Sequence, residues 1–400
     1  MKLIVTMLMM FYLATLAFGI FLTDLFRIPA PFLFCFPLVF LFREKGAVKF
    51  RYARELILLC LATFIYYVIG LSEANSFAAN MLCIMICAFY FNYFVGDNER
   101  RFNASVWIFY GLLVISSVVM VLNHFYGEMD TLRELIMGDK ILQSPAGISI
   151  SQFAYGYQLA ALIPFLFICT CTFKTPLAVK GMALAACLLF VFLGMQRSVF
   201  VGFVGAVFLF LVLYYRFRAV LAIALVLLIC GLAYTYVLKD NLDMTNNILV
   251  KNNHNDAAYD RSNLAEENLR IYAEYPYGLI FYGKKWGDVI YRDYVFSSGI
   301  TSHNAYLIFF TYLGPFLGLG LLAAIYYRVG AAVMYVFRRL RDRENAMLAC
   351  LCFSFIGVSV NALSHNPWLI SADGPTVFLY FSILHLYQQR KEGRLVTPVT

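Results

Sequence analysis

Charge is what this sequence has least of: charged residues are 14% of its 400 positions, against 62% hydrophobic residues. A soluble domain carries about 25% charge, so that class is excluded and most of the chain must face lipid or other helices. Asp and Glu are absent from the interior of every long apolar stretch, which leaves a proton-coupled transporter without its midplane acid. The halves share no matching pattern, and no internal repeat stands out. There is no Walker loop, zinc-protease helix motif or nucleophile elbow. All ten cysteines lie inside apolar stretches, where they behave as small hydrophobes, so neither a disulfide framework nor a zinc centre is expected.

What is present is a series of apolar runs, most of them near the ~20 residues that cross hydrocarbon. They run from Leu3 to Leu22, Ile28 to Phe42, Glu55 to Leu71, Phe77 to Val95, Ser105 to Phe125 and Phe153 to Phe173. Further runs follow at Gly181 to Gln196, Val199 to Tyr215, Ala219 to Leu238, Asn304 to Tyr327, Ala346 to Leu363 and Pro375 to Tyr387. The second is the shortest reading of the first half and holds Pro37, which should kink it. The first is too long for a signal peptide and lacks a small-residue cleavage site, so it reads as a retained helix. The expectation is an all-α polytopic membrane protein of about twelve transmembrane helices.

Basic residues set the orientation. With the N-terminus in the cytoplasm, Arg43, Lys45, Lys49, Arg51 and Arg54 fall inside, as do Arg100, Arg101, Lys174, Lys180, Arg216 and Arg218. Arg328, Arg338, Arg339, Arg341, Arg343 and the tail with Arg390, Lys391 and Arg394 follow the same rule. Both termini are then cytoplasmic. The net charge of +8 is explained by these helix-end clusters, so nucleic acid is not an expected partner.

Four regions result: 1–152, N-terminal helices with a first long outer loop; 153–238, central helices; 239–302, a large acidic outer loop between the ninth and tenth helices; and 303–400, C-terminal helices with a cytoplasmic tail. The two long loops, Tyr126 to Gln152 and Lys239 to Ser302, are where function should be sought. In the second, Asn263 and Glu266 have capping-box spacing. Leu264, Ala265, Leu269 and Tyr272 then recur at helical intervals until Pro276 and Gly278, which predicts an amphipathic surface helix. The Asn- and Asp-rich segment before it, 241–260, reads as mobile until something binds.

Candidate chemistry is confined to a few side chains. Arg197 follows Gly194-Met195-Gln196 in an outer hairpin otherwise made of membrane spans, either snorkelling or holding an anion. Arg261 precedes the loop helix and Arg270 lies about two and a half turns further on, as solvated partners of Asp260, Glu266, Glu267 or Glu274, or as forks for phosphate oxygens. Next come His303, a base suited to pH 7, and Asn304, which reads equally as a helix cap. Asp373 sits near His365 and Trp368 in the last outer loop, lining a site or ending a helix. Glu128 and Asp130 have a spacing that could hold a divalent cation, though acidic doublets are common in such loops. Tyr282, Trp286, Tyr291 and Tyr294 are stacking surfaces for sugar or, more simply, interfacial anchors.

Ser302-His303-Asn304-Ala305-Tyr306-Leu307, followed by Leu313-Gly314-Pro315-Phe316-Leu317-Gly318-Leu319, resembles the signature of the bacterial O-antigen ligase and polymerase superfamily. Arg197-Ser198 is similar to that family's hairpin arginine. Arg261, ahead of the loop helix and Pro276-Tyr277-Gly278, resembles its loop arginine. The resemblance covers about residues 181–330. It departs at Gly314 and Gly318, which are four apart where three is usual, and in lacking an aromatic residue soon after Arg261.

The resemblance implies the C-type fold of membrane glycosyltransferases in the bacterial inner membrane. It also implies transfer of a glycan from an undecaprenyl-diphosphate carrier to a sugar hydroxyl, without metal or other cofactor. Arg197, Arg261 and His303 would be catalytic, with Arg197, Arg261, Arg270, Asn304 and Asp373 contacting diphosphate or glycan. Expected partners are the lipid-linked donor, a glycan or lipid A core acceptor, membrane lipids, and a chain-length regulator or flippase. Polymerase is the preferred reading, with ligase and polysaccharide transporter or flippase as alternatives; a scaffold would leave these residues without a common role.

Overall fold

In the computed structural model, residues 2–20, 29–44, 49–127, 129–143, 146–233, 235–236, 261–290, 304–365 and 368–392 are described. Among them there is no strand. The helices are α1 (Lys2–Phe18), α2 (Ala30–Leu41), α3 (Ala53–Phe64), α4 (Ala74–Phe89), α5 (Glu99–Tyr126), α6 (Met129–Met137), α7 (Gln152–Thr172) and α8 (Leu177–Gly194). They continue as α9 (Arg197–Tyr215), α10 (Ala219–Ala233), α11 (Arg261–Glu274), α12 (Trp286–Ile290), α13 (Ala305–Arg338), α14 (Ala346–Asn361) and α15 (Gly374–Lys391). Wider π turns extend α3 through Ile65–Leu71 and α4 through Tyr90–Val95. Each of the twelve apolar runs is helical over most of its described residues. Among the described residues, eight helical stretches are long and apolar enough to cross a membrane, while α1 and α2 are shorter apolar helices. The chain is an all-α, multi-pass membrane protein.

It divides into two compact units. One comprises Met1–Phe109, Asn255–Ala331 and Ala362–Arg394; the other comprises Tyr110–His254, Ala332–Asn361 and Leu395–Thr400.

In the first unit α1 packs on α2 and α15, and a side chain at Gly374 would collide with the Leu16 carbonyl. Membrane helices gain little from hydrophobicity when they associate, so close backbone approach and polar ties do the work. Gln389 Nε2 donates to the Gly96 carbonyl at 2.9 Å and also meets His385 Nε2 at 2.9 Å. That amide orientation makes His385 Nε2 the acceptor, leaving its Nδ1–H to face the Tyr52 hydroxyl at 2.7 Å. Arg328 of α13 pairs with the buried Glu55 of α3 at 2.9 Å and donates to Gln388 at 3.2 Å.

In the second unit α7 is the buried centre, held by α14 and flanked by α8 and α9. Small residues permit the contact: a Cβ at Gly357 would lie 2.7 Å from the Ala160 carbonyl, and one at Gly202 would lie 3.1 Å from the Gly357 carbonyl. Tyr110 donates to Ser354 Oγ at 2.8 Å, and Ser354 donates to the Ala161 carbonyl at 2.5 Å.

α13 differs from the single span expected at Asn304 to Tyr327. Gly314 has φ 75 and ψ 176, breaking the helix ahead of Pro315. A Cβ at Gly318 would lie 2.6 Å from the Phe309 carbonyl, although nine residues of straight helix would separate those positions by about 13 Å. The element is therefore two helices bent sharply on each other. Its first part, Ala305 to Leu313, rises only roughly 14 Å and is too short to cross hydrocarbon.

Candidate functional site

The α8–α9 hairpin is built to hold one position still. Met195 takes the left-handed conformation, φ 55, and turns the chain in two residues. Gln196 is buried and donates to the Gln152 carbonyl at 2.9 Å. Ser198 donates to Asn361 Oδ1 at 2.7 Å, and Gly194 lies where a side chain would strike Leu159. Arg197, between these anchored neighbours, opens α9 and is exposed. A guanidinium beside a helix N-terminus adds its charge to the positive end of the helix dipole, which favours an anion.

The first long loop is folded rather than loose. α6 carries Arg133, which is fully buried. Its Nε donates to the Gly147 carbonyl at 2.8 Å, and its Nη2 to the carbonyls of Gln143 at 3.2 Å and Ser149 at 3.0 Å. Its Nη1 meets Asp130 at 2.6 Å. Asp130 Oδ1 also accepts from Asn123, so this carboxylate is engaged by an arginine and an amide rather than presented to a cation. Glu128 lies outside the described residues. No group of three metal-ligating side chains occurs among the described residues. Sequence reasoning passed over Arg133, since an arginine in a loop normally reads as solvated.

In the second long loop the expected helix is present as α11. It starts at Arg261, two residues before the capping residue read from the sequence, so Asn263 stands inside the first turn rather than ahead of it. The side chain of Arg261 and the whole of His303 lie outside the described residues, as do 239–260, Tyr291 and Tyr294. Arg261 and Arg270 are nine residues apart and occupy opposite faces of the helix. Arg270 is largely exposed and pairs with Glu267 at 2.9 Å, one of the partners anticipated for it. Asn268 is buried and bonded to Thr311 of α13 at 2.5 Å, which seats α11 on that helix. Trp286 is not an interfacial anchor: it is buried beside Gly70 and Tyr312.

A backbone clasp fixes the loop's exit. Gly278 (φ +95) and Gly314 (φ +75) face each other so closely that a side chain on either would overlap backbone of the other's segment. Both positive φ values also favour glycine. The Pro276-Tyr277-Gly278 turn is thus seated in the bend of α13, a relation that the two sequence motifs did not announce.

Asn304 caps α13: its Oδ1 accepts from the backbone N–H groups of Tyr306 and Leu307, both at 3.0 Å. Asp373 caps α15 by accepting from the Thr376 N–H at 3.0 Å and the Thr376 hydroxyl at 2.5 Å. Burial pushes its carboxyl up to about 7, with the two capping hydrogen bonds opposing the shift. His365 and Trp368, named with it, are both buried, and Trp368 stacks on Tyr326 at 5.3 Å. Of the expected site, the first unit therefore places Arg270, Asn304 and Asp373, and the second places Arg197.

Residues 182–327 match the protein family described as O-antigen ligase. That segment is similar to the O-antigen ligases. The match takes in most of α8, all of α9 and α11, and both parts of the glycine clasp, over just more than a third of the chain. The similarity supports function of the O-antigen ligase or polymerase type in general. No curated protein matches the chain.

Proposed function

We propose that this chain is a membrane glycosyltransferase that moves an undecaprenyl-diphosphate-linked glycan onto a sugar hydroxyl, polymerising O-antigen, capsule or exopolysaccharide repeat units. On this reading it lies in the bacterial inner membrane with both termini cytoplasmic, and the two long loops face outward. The observation that carries the reading is that the family segment contains an exposed arginine, Arg197, on a hairpin whose flanking residues are anchored.

The reaction breaks the bond between the anomeric carbon and the carrier's phosphate oxygen and forms a bond to the acceptor oxygen. The bonding pair leaves with the diphosphate, where Arg197 and Arg261 stabilise the growing charge without a metal. The acceptor's proton passes to His303, which Asn304 follows as the cap of α13. Arg270 and Asp373 contact diphosphate or glycan in this scheme. Direct displacement inverts the anomeric centre. A second reading, ligation of the finished glycan to lipid A core, is favoured by the description of the matching family. A chain-length regulator or a flippase would work beside either enzyme.

The test is removal of the gene followed by gel analysis of surface glycan. A single repeat unit on core marks a lost polymerase; intact polymer held on undecaprenyl diphosphate marks a lost ligase. A unit trapped on the cytoplasmic face contradicts both and indicates transport.

A further inference from the structure

The short helix of the first long loop, α6, is an amphipathic helix turned inside out. Wound at about 100° per residue, it sets Met129, Leu132, Leu135 and Ile136 on one face and Asp130, Arg133 and Glu134 on the other. A surface helix of a soluble protein covers its apolar face and wets its charged one. Here Arg133 is fully buried, whereas Leu132 is 42% and Leu135 75% exposed. The charged groups are engaged within the loop: Arg133 holds Asp130 at 2.6 Å, and Glu134 Oε1 accepts from the Ile141 N–H at 3.3 Å. Leu142, beyond the helix, is 74% exposed as well.

What covers these leucines follows from where α6 is tethered. Ile115, Val118, Leu122 and Phe125 recur at helical spacing on α5 and are all exposed, so this face of a membrane-crossing helix meets acyl chains. It ends at Phe125 and Tyr126, exposed aromatics of the kind that sit at headgroup level. α6 starts three residues further along, within about 10 Å of that level. Asn123 of α5 donates to Asp130 at 3.1 Å and ties the two helices together. At the other end of the loop Phe153, exposed at the start of α7, repeats the aromatic mark.

Exposed leucines that continue a lipid-facing stripe, bracketed by interfacial aromatics, fit a lipid surface, and a helix of nine residues is too short to do other than lie in it. We propose that α6 is an interfacial anchor, lying in the plane of the bilayer with Leu132, Leu135 and Leu142 dipped into the leaflet that Phe125 reaches. Its buried face passes that position inward. Arg133 holds the Gly147 carbonyl; a side chain at Gly147 would strike Tyr155, and one at Gly194 would lie 3.6 Å from the same ring. The anchor thereby sets the depth of the α8–α9 turn. It does so whether or not the chain transfers glycan.

The test uses the full-length protein in nanodiscs of phosphatidylethanolamine and phosphatidylglycerol. A p-acetylphenylalanine at one position is coupled to a hydroxylamine nitroxide, which leaves the native cysteines unlabelled. At Leu135 and at Leu142 the nitroxide should collide with oxygen far more than with a water-soluble nickel chelate, at a depth of roughly 5–10 Å into the boundary between headgroups and acyl chains. At Asp139, which is exposed just past the helix, nickel should dominate. Leu132→Glu, a change on the outward face, should raise nickel collision at Leu135 several-fold. Nickel access at Leu135 equal to that at Asp139 would place α6 in water and overturn the assignment. Shielding of Leu135 from both reagents would overturn it too, by showing that a second copy or another protein covers the leucines.

Discussion

The two long loops are held by opposite means. The first is organised around a side chain, Arg133, whose buried guanidinium gathers carbonyls at Gln143, Gly147 and Ser149. The second is fastened by the absence of side chains, at Gly278 and Gly314, where backbone meets backbone. On the proposed reading, the contrast separates an arginine that builds the fold from one that serves chemistry. Arg133 is buried and bonded to carbonyls along its fork, whereas Arg197 is exposed at the start of a helix.

The sharpest way to break this comparison is Arg133→Met. It leaves three carbonyls without their donor, at ~1–3 kcal/mol for each one that stays buried. The thermal midpoint in detergent should fall steeply, and Arg133→Lys should fail to restore it because a point charge cannot replace the planar fork. Substituting the clasp comes next. Gly314→Ala and Gly278→Ala impose a strained φ and a backbone overlap, at about 1–3 kcal/mol each. Because the clasp is one contact, the double substitution should cost less than the sum, which a double-mutant cycle on unfolding would read.

Smaller effects fall at the helix caps. Asn304→Ala should cost about 1 kcal/mol and loosen the start of α13, measured as faster amide exchange at Tyr306 and Leu307. Asp373→Asn probes titration instead. The folded carboxyl titrates at about 7, above the ~3.9 of an unfolded aspartate, so folding takes up a proton between these values. The stabilising contribution is complete below the unfolded value and is lost as pH rises through 7. The thermal midpoint should therefore decline from pH 5 to pH 8 in the unaltered protein and vary less in Asp373→Asn, which keeps a capping oxygen.

How far the sequence reveals this arrangement depends on whether a feature is local. Apolar runs locate the helices because a membrane helix satisfies its own backbone. The loop helix is legible for the same reason, and so is the hairpin around Arg197, where Gly194 and the next apolar run leave room only for a tight turn. The bend in α13 is not: hydropathy runs unbroken across Gly314-Pro315, and the angle is set by a turn some thirty-five residues upstream that docks into it. Arg133 is hidden for a related cause, since its burial is created by carbonyls from a segment that follows it. Trp286, read as an interfacial anchor, is covered by Gly70 and Tyr312 from distant parts of the chain. Features made by two segments meeting escape a reading of either one.

The most direct measurement is the initial rate of glycan transfer from an undecaprenyl-diphosphate-linked repeat unit by purified Arg197→Ala protein, taken together with its thermal midpoint. The account predicts a loss of roughly a hundredfold or more with an unchanged midpoint, as expected when a group that stabilises leaving-group charge is removed. A folded Arg197→Ala protein that transfers glycan at the unaltered rate would contradict it.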